Sequence, residues 1–429
     1  MKTVGIIAEY NPFHNGHQYQ IQYAKEILGA DFVVIAMSGD FVQRGTPALL
    51  PKHIRAKMAL EGGADLVLEL PVSISTASAE FFAAGGVELL DSLGIIDTLC
   101  FGCENASLEL LSKTAEILTE EPDFYRMRLQ NSLKKGLSFP TARSQALMAY
   151  FKEIKDADFA SLPDISDEEL NTFFSSPNNI LGIEYCKALS RQKSSIIPSP
   201  LKREGAGYHE HTLSKHSYPS ASGIRYSLHK HNTSETNDKS ENILRETFES
   251  MIPPDSLNTF LQGLIENGGI YEHHLDLLLH YRLLNETAES LTAYLDVNKE
   301  LARRIINSRN NYQNFVQFTE LLKTKELTYT RIQRALLHIV LNICKVPENI
   351  PYARVLGFRK SAGLLLREIK NHGKIPMITK LAAAEKQLNE NAMQILKENT
   401  FASNLYNSLI QHKTQGAFRH EYTNPVIIL

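Results

Sequence analysis

The sequence has few cysteines and no long hydrophobic run, and both deficits narrow the class of protein. Four cysteines in 429 residues cannot build a disulfide framework, so we expect the chain in a reducing compartment, the cytoplasm. No apolar stretch approaches the roughly 18 residues that a transmembrane helix needs. Residues 1–8 are too short for the apolar core of a secretory signal and are followed by Glu9 and Asn11. We therefore expect neither a secreted disulfide scaffold nor a membrane protein.

The sequence also has little that resembles a metal centre or a covalent catalytic set. Cys100 and Cys103 form a lone CxxC without a second cysteine pair, so we expect two buried thiols at a strand end. His209, His211 and His216 are clustered without a tight metal spacing. We interpret them as part of a polar loop, with phosphate or substrate contact as the alternative. No Ser/His/Asp or Cys/His set requires a covalent enzyme intermediate.

The composition is that of a globular protein whose charge is unevenly distributed. Hydrophobic residues make up 43% and charged residues 22% of the chain, and its length favours two or three domains. The formal net charge is −3, yet residues 301–380 hold 15 Lys and Arg against 4 Asp and Glu. This excess predicts a surface that faces a polyanion, and a solvated basic helical face is the alternative.

The first part of the chain alternates short apolar runs with amphipathic stretches. Strands separated by helices form βαβ units, which build a parallel sheet with ligands at the carboxyl ends of its strands. The sequence therefore predicts an α/β fold, a Rossmann-like, doubly wound parallel sheet. The predicted strands are 4–8, 32–37, 65–70 and 98–102, and the predicted helices are 16–28, 53–61 and 79–90.

The rest of the chain has mainly helical spacing. We expect helices over 106–190 with a break at 162–164, and a late strand at 195–198 that returns to the sheet. Residues 229–242 are polar and predict a linker. From about 243 the pattern predicts an all-helical domain. We thus expect a catalytic domain over 1–230 and a basic, all-α domain over 243–429.

A His-x-Gly-His motif directly follows the first predicted strand. Residues 9–17 read EYNPFHNGH, the pattern of a strand, a tight turn and a helix start. The unpaired N–H groups and partial positive charge of a helix N-terminus favour a phosphate. Gly16 lets the main chain approach the ligand. His14 and His17 add donors where charge develops on an α-phosphoryl group.

A second phosphate-binding segment lies far downstream. Residues 220–225 read SASGIR, which combines small hydroxyl residues with an arginine at a helix start. Ser222 and its neighbours can cap that helix and orient its N–H groups toward phosphate. Arg225 supplies a fixed charge for the β- and γ-phosphates. Alone this segment reads as an ordinary capped helix; together with His-x-Gly-His it favours a nucleotide site.

These motifs are similar to those of the nucleotidylyltransferase superfamily, which is related to class I aminoacyl-tRNA synthetases. Four segments together resemble the tRNA(Met) cytidine acetate ligase family: AEYNPFHNGH at 8–17, MSGDFVQRG at 37–45, PNNILG at 177–182 and REGAGYH at 203–209. The resemblance covers essentially the whole chain, with its specific motifs within about 1–230. It implies that the protein activates acetate with ATP as acetyl-adenylate. The resemblance further implies that the acetyl group is transferred to the wobble cytidine of elongator tRNA(Met), giving N4-acetylcytidine.

The resemblance also implies an ATP site. Gly102 follows a strand at the edge where a nucleotide would lie. Asn179 would read adenine or ribose through its amide, or cap the helix that starts nearby. Arg203 would hold phosphate, or be a surface arginine. The expected ATP-contacting residues are Ile7, Ala8, Glu9, Tyr10, Asn11, Pro12, Phe13, His14, Asn15, Gly16, His17, Gln18, Tyr19, Gln20, Gly102, Asn179, Arg203 and Ser222.

The loop 38–45 follows the second predicted strand on the same side as the His-x-Gly-His turn. Asp40 is a candidate to bind Mg²⁺ or to orient the incoming amine, and Arg44 to hold acetate or a tRNA phosphate; plain turn chemistry is the alternative. Lys52, His53 and Arg55 begin the next helix, where positive charge opposes the helix dipole and slightly favours a nearby ligand. The expected catalytic residues are His14, His17, Asp40 and Arg225, with Mg²⁺ accompanying ATP.

The basic helical part would bind tRNA. Because Arg331 and Arg334 are one helical turn apart, they share a face. Phosphate contacts of this kind give affinity and salt dependence but little sequence choice. The residues expected to contact tRNA are Arg331, Arg334, Arg359 and Lys360, within a wider set formed by Arg303, Arg304, Arg309, Arg354 and Arg367.

Two other functions fit parts of the sequence. A small-molecule nucleotidylyltransferase would use the sheet domain but leave the basic half without a purpose. A non-catalytic RNA- or ribosome-binding protein would carry a vestigial nucleotide pocket, against which the intact His14, Gly16, His17 and Arg225 argue. An ATP–pyrophosphate exchange assay separates these two functions from the acetate ligase. Exchange would be stimulated by acetate in the ligase, by a phosphorylated metabolite in the nucleotidylyltransferase, and by neither in the non-catalytic protein.

Overall fold

A central sheet organises the part of the chain that the computed structural model describes, which is residues 1–155, 165–203, 220–233 and 241–429. Its strands are short runs rich in Val, Ile and Leu, which favour buried extended structure. The strands are β1 (Thr3–Ala8), β2 (Phe32–Ser38), β5 (Leu66–Leu70), β6 (Thr98–Cys103), β7 (Ile197–Lys202), β8 (Ala353–Phe358), β9 (Met377–Ile378) and β10 (Ile427–Ile428), with β3 (Phe41–Val42) and β4 (Thr46–Pro47) forming a separate antiparallel hairpin.

The strand order creates a switch point beside β1. The sheet runs β10-β8-β5-β2-β1-β6-β7, with β9 on β8, and the pairs from β5 to β7 are all parallel. The chain adds β2 and β5 on one side of β1 and then crosses to add β6 and β7 on the other. In such sheets the crevice at the carboxyl ends of the two diverging strands is where ligands bind. That crevice lies between β1 and β6.

The predicted parallel sheet is confirmed, and its first four strands lie within one residue of the predicted bounds. The late strand is real but runs over Ile197–Lys202 rather than 195–198. Pro198 and Pro200 did not end it because β7 lies at the edge of the sheet, where proline is tolerated. The segment expected to be a linker, 229–242, is helical at both ends, and its middle, like the expected break at 162–164, lies outside the described residues.

Helices cover both faces of the sheet. Alternate residues of one strand point to opposite faces, so Val34 and Val33 join two separate cores, each shared with the helices on its own face of the sheet. The helices are α1 (Asn15–Glu26), α2 (Lys52–Glu61), α3 (Val72–Ser75), α4 (Ala79–Asp91), α5 (Leu108–Glu120), α6 (Asp123–Lys134), α7 (Phe139–Lys155), α8 (Asp167–Ser175), α9 (Pro177–Arg191), α10 (Ala221–Thr233), α11 (Glu241–Phe248), α12 (Pro254–Asn267), α13 (Asp276–Asn285), α14 (Lys299–Ser308), α15 (Phe315–Leu322), α16 (Tyr329–Leu341), α17 (Gly363–His372) and α18 (Glu390–Thr414).

The part after residue 243 is mainly helical, as expected, but not all of it is. Helices α13 to α16 and α18 share a third core, which also takes in Phe41 and Val72 from the sheet part. β8, β9 and β10 instead extend the central sheet, and β8 pairs antiparallel with β5. The helical expectation is therefore wrong at these three strands. A short apolar run such as 353–358 has no distinguishing period, and its pairing partner lies almost 300 residues away in the sequence.

Cys100 and Cys103 confirm the expectation of buried thiols at a strand end. Cys100, Cys103 and Cys186 are free and buried, and Cys344 is free and exposed. Among the described residues no cluster of His, Cys, Asp and Glu is arranged to hold a metal ion. His209, His211 and His216 lie outside those residues. No helix in the described ranges has both the length and the apolar character needed to cross a bilayer.

Candidate active site

The turn between β1 and α1 lies at the switch point and is fixed by contacts from distant parts of the chain. Tyr10 has a positive φ of 49°, and the Asn11–Pro12 peptide bond is cis. The Asn11 side chain accepts the main-chain N–H of Leu49 at 2.7 Å. The main-chain carbonyl of Asn11 accepts a hydrogen bond from Arg225 Nη1 at 2.5 Å. The turn therefore joins the segment before α2 to the arginine of α10.

His14 and His17 are neutral imidazoles with defined tautomers. His14 is the N-cap of α1; its Nδ1 accepts the N–H of Gly16 at 3.1 Å, and Nδ1 of His17 accepts the N–H of His14 at 3.3 Å. Because a main-chain N–H only donates, each ring carries its proton on Nε2. The rings stack with centroids 3.7 Å apart. Burial, aided by Arg203 and Arg225, lowers the pKa of His14 to about 3, and burial lowers the pKa of His17 well below its usual value. The pair offers two uncharged N–H donors.

Helix α10 brings the second predicted motif to this turn. Ser220 Oγ accepts the N–H of Gly223 at 3.0 Å, so it caps the helix start. Arg225 donates to Ser222 Oγ at 3.2 Å and to the carbonyl of Asn11. A guanidinium and a capped helix N-terminus thus stand beside the imidazole pair. This arrangement suits an anion.

A single pocket is shared by these groups and by residues from β1, β6, α9 and the hairpin loop. Its lining combines polar groups of the turn and of α10 with aromatic and aliphatic side chains. Its lining residues in the described part of the chain are Ile7, Ala8, Glu9, Tyr10, Asn11, His14, His17, Gln20, Val42, Gln43, Arg44, Thr46, Phe82, Phe101, Gly102, Asn178, Leu181, Tyr185, Arg203, Ser220, Ala221, Ser222 and Arg225.

Gly102 and Arg203 lie where the sequence placed them, at the ends of β6 and β7. A Cβ on Gly102 would lie 3.3 Å from Cγ of Arg203, so a side chain there would crowd the arginine. The sequence analysis did not predict the apolar wall of this pocket, which includes Phe82, Phe101, Leu181 and Tyr185. Its members on α9 share a face with Asn178 because 178, 181 and 185 follow helical spacing. The helical spacing that directly follows the motif PNN at 177–179 could have predicted that these α9 residues face the pocket.

Asn179, which we expected to contact the nucleotide, does not line this pocket. Its Oδ1 accepts the N–H groups of Glu104 and Asn105 at 3.0 and 3.1 Å, and its Nδ2 donates to the carbonyl of Phe173. The side chain is almost fully buried, at 1% exposure. Asn179 therefore fastens the loop after β6, and its neighbour Asn178 faces the pocket. A helix turns about 100° per residue, so adjacent positions face different surroundings.

Asp40 is also turned away from the pocket, contrary to the role expected of it. Its Oδ1 accepts the main-chain N–H of Lys52 at 2.8 Å, and its Oδ2 lies 3.7 Å from Lys52 Nζ. Both side chains are buried. Asp40 thus compensates the positive start of α2. The basic residues at the start of α2 are therefore not evidence for a bound ligand, since carboxylate and carbonyl groups of the protein itself accept their hydrogen bonds.

Lys52 belongs to a buried charge cluster that ties the C-terminal segment to the sheet. Its Nζ lies 2.6 Å from Glu69 Oε1 and 2.9 Å from Glu421 Oε1, and Arg354 contacts the same two carboxylates. Burial lowers the pKa of the Lys52 ammonium, yet the surrounding carboxylates raise it overall above its usual value. Nearby, Arg55 donates to the main-chain carbonyls of Glu9, Ser38, Gly39 and Leu50.

Glu421 is expected to make the stability of the protein acid-sensitive. Burial raises the pKa of Glu421, but Lys52, His53 and Arg354 lower it far below its usual 4.5. A carboxylate of this kind stabilises the fold above its unfolded-state pKa and loses that effect as the pH falls. In urea denaturation, the stability difference between wild type and Glu421→Gln should shrink below about pH 4.5, by up to about 1.4 kcal/mol per pH unit. A difference that stays constant from neutral pH into this range would contradict the assignment.

The hairpin loop that carries Arg44 is held between the pocket and the helical part. Glu9 Oε1 accepts the N–H of Gln43 at 2.8 Å. On the other side, Phe41 lies in the helical core, with its ring against Tyr406 at 6.0 Å between centroids. Gly45 has a φ of 81°, and a Cβ there would lie 2.6 Å from the main-chain nitrogen of Arg334 in α16. The loop therefore needs glycine at 45 for two separate reasons.

Gly45→Ala is expected to cost more stability than Gly136→Ala. Both glycines have a positive φ, but at Gly136 (φ 75°) an added Cβ meets nothing within 4 Å. The φ penalty, about 1–2 kcal/mol, is common to both. At Gly45 the added Cβ also forces the loop away from α16, and this shift moves the pocket residues that the loop carries. Denaturation midpoints measure the difference, and equal losses in the two variants would contradict the close approach.

The basic residues expected to contact tRNA divide into those bound within the protein and those exposed to solvent. Arg334 Nε lies 2.9 Å from Asp296 Oδ2, and Arg359 Nε donates to the carbonyl of Leu60 at 2.9 Å, so both are engaged within the protein. Arg331 is partly exposed and Lys360 is exposed. In the wider set, Arg304 and Arg309 donate to main-chain carbonyls and Arg354 is buried, whereas Arg303 and Arg367 are exposed.

Known proteins resemble the chain over its whole length. Residues 1–421 match the family described as HIGH Nucleotidyl Transferase. The tRNA(Met) cytidine acetate ligase of Halothermothrix orenii is 36% identical, covering 100% of this chain and 99% of its own; that of Clostridium perfringens is 38% identical, covering 95% and 96%. The apo crystal structure of Thermotoga maritima TmcAL superposes with a TM-score of 0.89 at 29% identity and full coverage of both chains. TmcAL bound with alpha-thio ATP gives 0.86 at the same identity and coverage.

Proposed function

Since the chain belongs to the tRNA(Met) cytidine acetate ligase family of HIGH nucleotidyl transferases, we propose that it is an ATP-dependent ligase acting on tRNA(Met). It activates acetate as acetyl-adenylate and then acetylates N4 of the wobble cytidine in the anticodon. The observation that carries this proposal is the pair of neutral imidazoles at the N-terminus of α1. They share one pocket with Arg225 and an apolar wall.

The pocket suits ATP along its length. The apolar wall of Phe82, Phe101 and Leu181 would take the adenine ring, and the amide of Asn178 would read a polar edge of the nucleotide. The α-phosphate would then lie at the start of α1. The β- and γ-phosphates would reach Arg225 and the N-terminus of α10. Magnesium would enter as part of the MgATP substrate.

In the first step an acetate oxygen attacks the α-phosphorus in line as pyrophosphate leaves. The Nε2–H groups of His14 and His17 donate to the equatorial oxygens as negative charge spreads over them. Because both imidazoles are uncharged before ATP binds, they provide directional donors rather than stored positive charge. Arg225 stabilises the leaving pyrophosphate, and Arg44 is the candidate to hold the acetate carboxylate.

In the second step the cytosine amine attacks the acetyl carbonyl and AMP leaves. The base has to leave its stack to reach the adenylate, and an anticodon loop presents unstacked bases at low cost. The tRNA backbone would be bound by cations of the helical part. Of the expected residues, Arg331 and Lys360 remain candidates, while Arg334 and Arg359 act within the protein.

Labelled acetate, ATP and total bacterial tRNA provide the decisive assay. After incubation the tRNA is digested, and label should appear in N4-acetylcytidine and nowhere else. Omitting ATP should abolish the label, and ATP–pyrophosphate exchange should depend on acetate. Exchange stimulated instead by a phosphorylated metabolite would indicate a small-molecule nucleotidylyltransferase. Binding of RNA without any exchange would indicate a non-catalytic protein.

A further inference from the structure

The proposed transfer step releases a proton inside the pocket. The lone pair of cytosine N4 attacks the acetyl carbonyl carbon, and a C–N bond forms. The C–O bond to the phosphate breaks, and AMP leaves with its electron pair. The nitrogen loses one of its two protons as it becomes an amide nitrogen. A pocket group that is unprotonated at neutral pH can accept that proton and speed the step.

The two histidines cannot accept it. Each Nε2 already carries a proton, and each Nδ1 lone pair accepts a main-chain N–H that holds the start of α1 in place. Taking a proton at Nδ1 would break that hydrogen bond. The histidines are therefore donors to phosphate, and the first step uses them fully in that role.

The other candidates are excluded on equally direct grounds. Tyr10 and Tyr185 line the pocket, but burial raises the pKa of both phenols far above neutral pH, so they stay protonated. Asp40 is buried against Lys52 and does not reach the pocket. The remaining polar lining groups are arginines, amides and hydroxyls, none of which is a base at neutral pH.

Glu9 is the one carboxylate among the described residues that line the pocket, and it follows β1 directly. Its Oε1 accepts the N–H of Gln43 at 2.8 Å, and its main-chain carbonyl accepts Arg55 Nη1 at 2.5 Å, so both the carboxylate and the backbone are fixed. A carboxylate has about four acceptor lone pairs, and one N–H leaves room for an amine. Its negative charge faces Arg44 and Arg225.

We propose that Glu9 is the general base of the acetyl-transfer step and accepts the proton of cytosine N4. A carboxylate that accepts from N4–H is also the group that distinguishes cytosine by its exocyclic amine. Glu9 thereby takes the amine-orienting role that the sequence analysis gave as one of two alternatives for Asp40, the other being Mg²⁺ binding. The inference rests on the proposed function and assigns one residue to its second half-reaction.

Glu9→Gln separates the two half-reactions. Glutamine keeps the size and an oxygen that can accept the Gln43 N–H, but its amide takes no proton. Acetate-dependent ATP–pyrophosphate exchange measures the first step. A single turnover with chemically prepared acetyl-adenylate and tRNA measures the second. We expect transfer to slow by about 100-fold or more and exchange to slow by at least about tenfold less than transfer, so that any contribution of Glu9 to the ATP site is measured separately by the exchange rate. Retained exchange also shows that the variant is folded.

Glu272→Gln is the matched control. The charge of Glu272 also acts on Arg44 and Arg225, but its side chain does not line the pocket. Both steps should stay within about threefold of wild type, since no basic group of the pocket is removed.

Three results would overturn the inference. Equal loss of both steps in Glu9→Gln would make Glu9 part of ATP binding, and no loss of either step would leave it without a catalytic role. An equal loss of transfer in Glu272→Gln would attribute the effect to charge alone. If wild-type enzyme fails to transfer acetyl from acetyl-adenylate to tRNA, the proposed function fails as well, which is distinct from a defect confined to the variant.

Discussion

Replacing His14 and His17 together by alanine should reduce acetyl-adenylate formation by about 1,000-fold or more. Removal of one donor to a developing oxyanion typically costs about 100- to 1,000-fold, and here both Nε2–H donors are lost from a buried site. The expected loss is in the rate of the step rather than in ATP affinity alone, because charge accumulates on the equatorial oxygens only in the transition state. Acetate-dependent ATP–pyrophosphate exchange measures it.

Two further variants make this result interpretable. His14 caps α1, so its loss should also cost about 1 kcal/mol of stability; His14→Asn retains a capping side chain and separates the two effects. His372→Ala, at an exposed position with 59% side-chain exposure, is the control for a histidine of no expected role. Undiminished adenylate formation in the folded double variant would refute the whole assignment of the site.

Lys52→Met should lower the free energy of unfolding by about 3–5 kcal/mol. The substitution leaves the buried carboxylates of Glu69 and Glu421 with Arg354 as their main partner, and removing one partner from a buried charge cluster is costly. The hydrogen bond that Lys52 Nζ donates to Ser403 Oγ at 2.6 Å is lost as well. Chemical denaturation measures the effect.

Lys57→Met provides the comparison on the same helix. Lys57 pairs with Glu61 at 3.7 Å and is half-exposed, so solvent screens the pair and the expected loss is within about 0.5 kcal/mol. Similar losses in the two variants would show that the cluster around Lys52 contributes no more than a surface pair. Because Asp40 binds the main chain of Lys52, a collapse of the cluster should also loosen the loop that carries Arg44.

The first βα unit shows how far local sequence reaches. The strand at 4–8 and a helix from 16, which the structure begins at Asn15, were predicted because hydrophobic period, turn residues and capping act between near neighbours in the chain. The downstream segment 220–225 was recognised by the same kind of signal. The contact between Arg225 and Asn11 forms because the connections between the parallel strands bring α10 to the turn after β1. The handedness of such connections follows a general rule for parallel sheets.

Single side chains in the same motifs were assigned less well. Asp40 and Glu9 are both acidic residues at strand ends, and Asn178 and Asn179 are identical neighbours. Only one of each pair lines the pocket. The choice depends on which direction a short loop or a helix start faces, and that is set by packing against α16, α2 and the loop after β6. Arg334 and Arg359 differ from Lys360 for the same reason, since their partners, Asp296 and Leu60, come from other elements.

The sequence by itself determined the parallel sheet, the turn between β1 and α1 and the residues that begin its helix, since each is encoded by residues a few positions apart. Only the tertiary structure decided that β8 and β10 complete the sheet, that Lys52 and Arg354 are buried against Glu69 and Glu421, and that Glu9 rather than Asp40 lines the pocket. These features depend on contacts between residues tens to hundreds of positions apart, whose geometry exists only once the chain has folded.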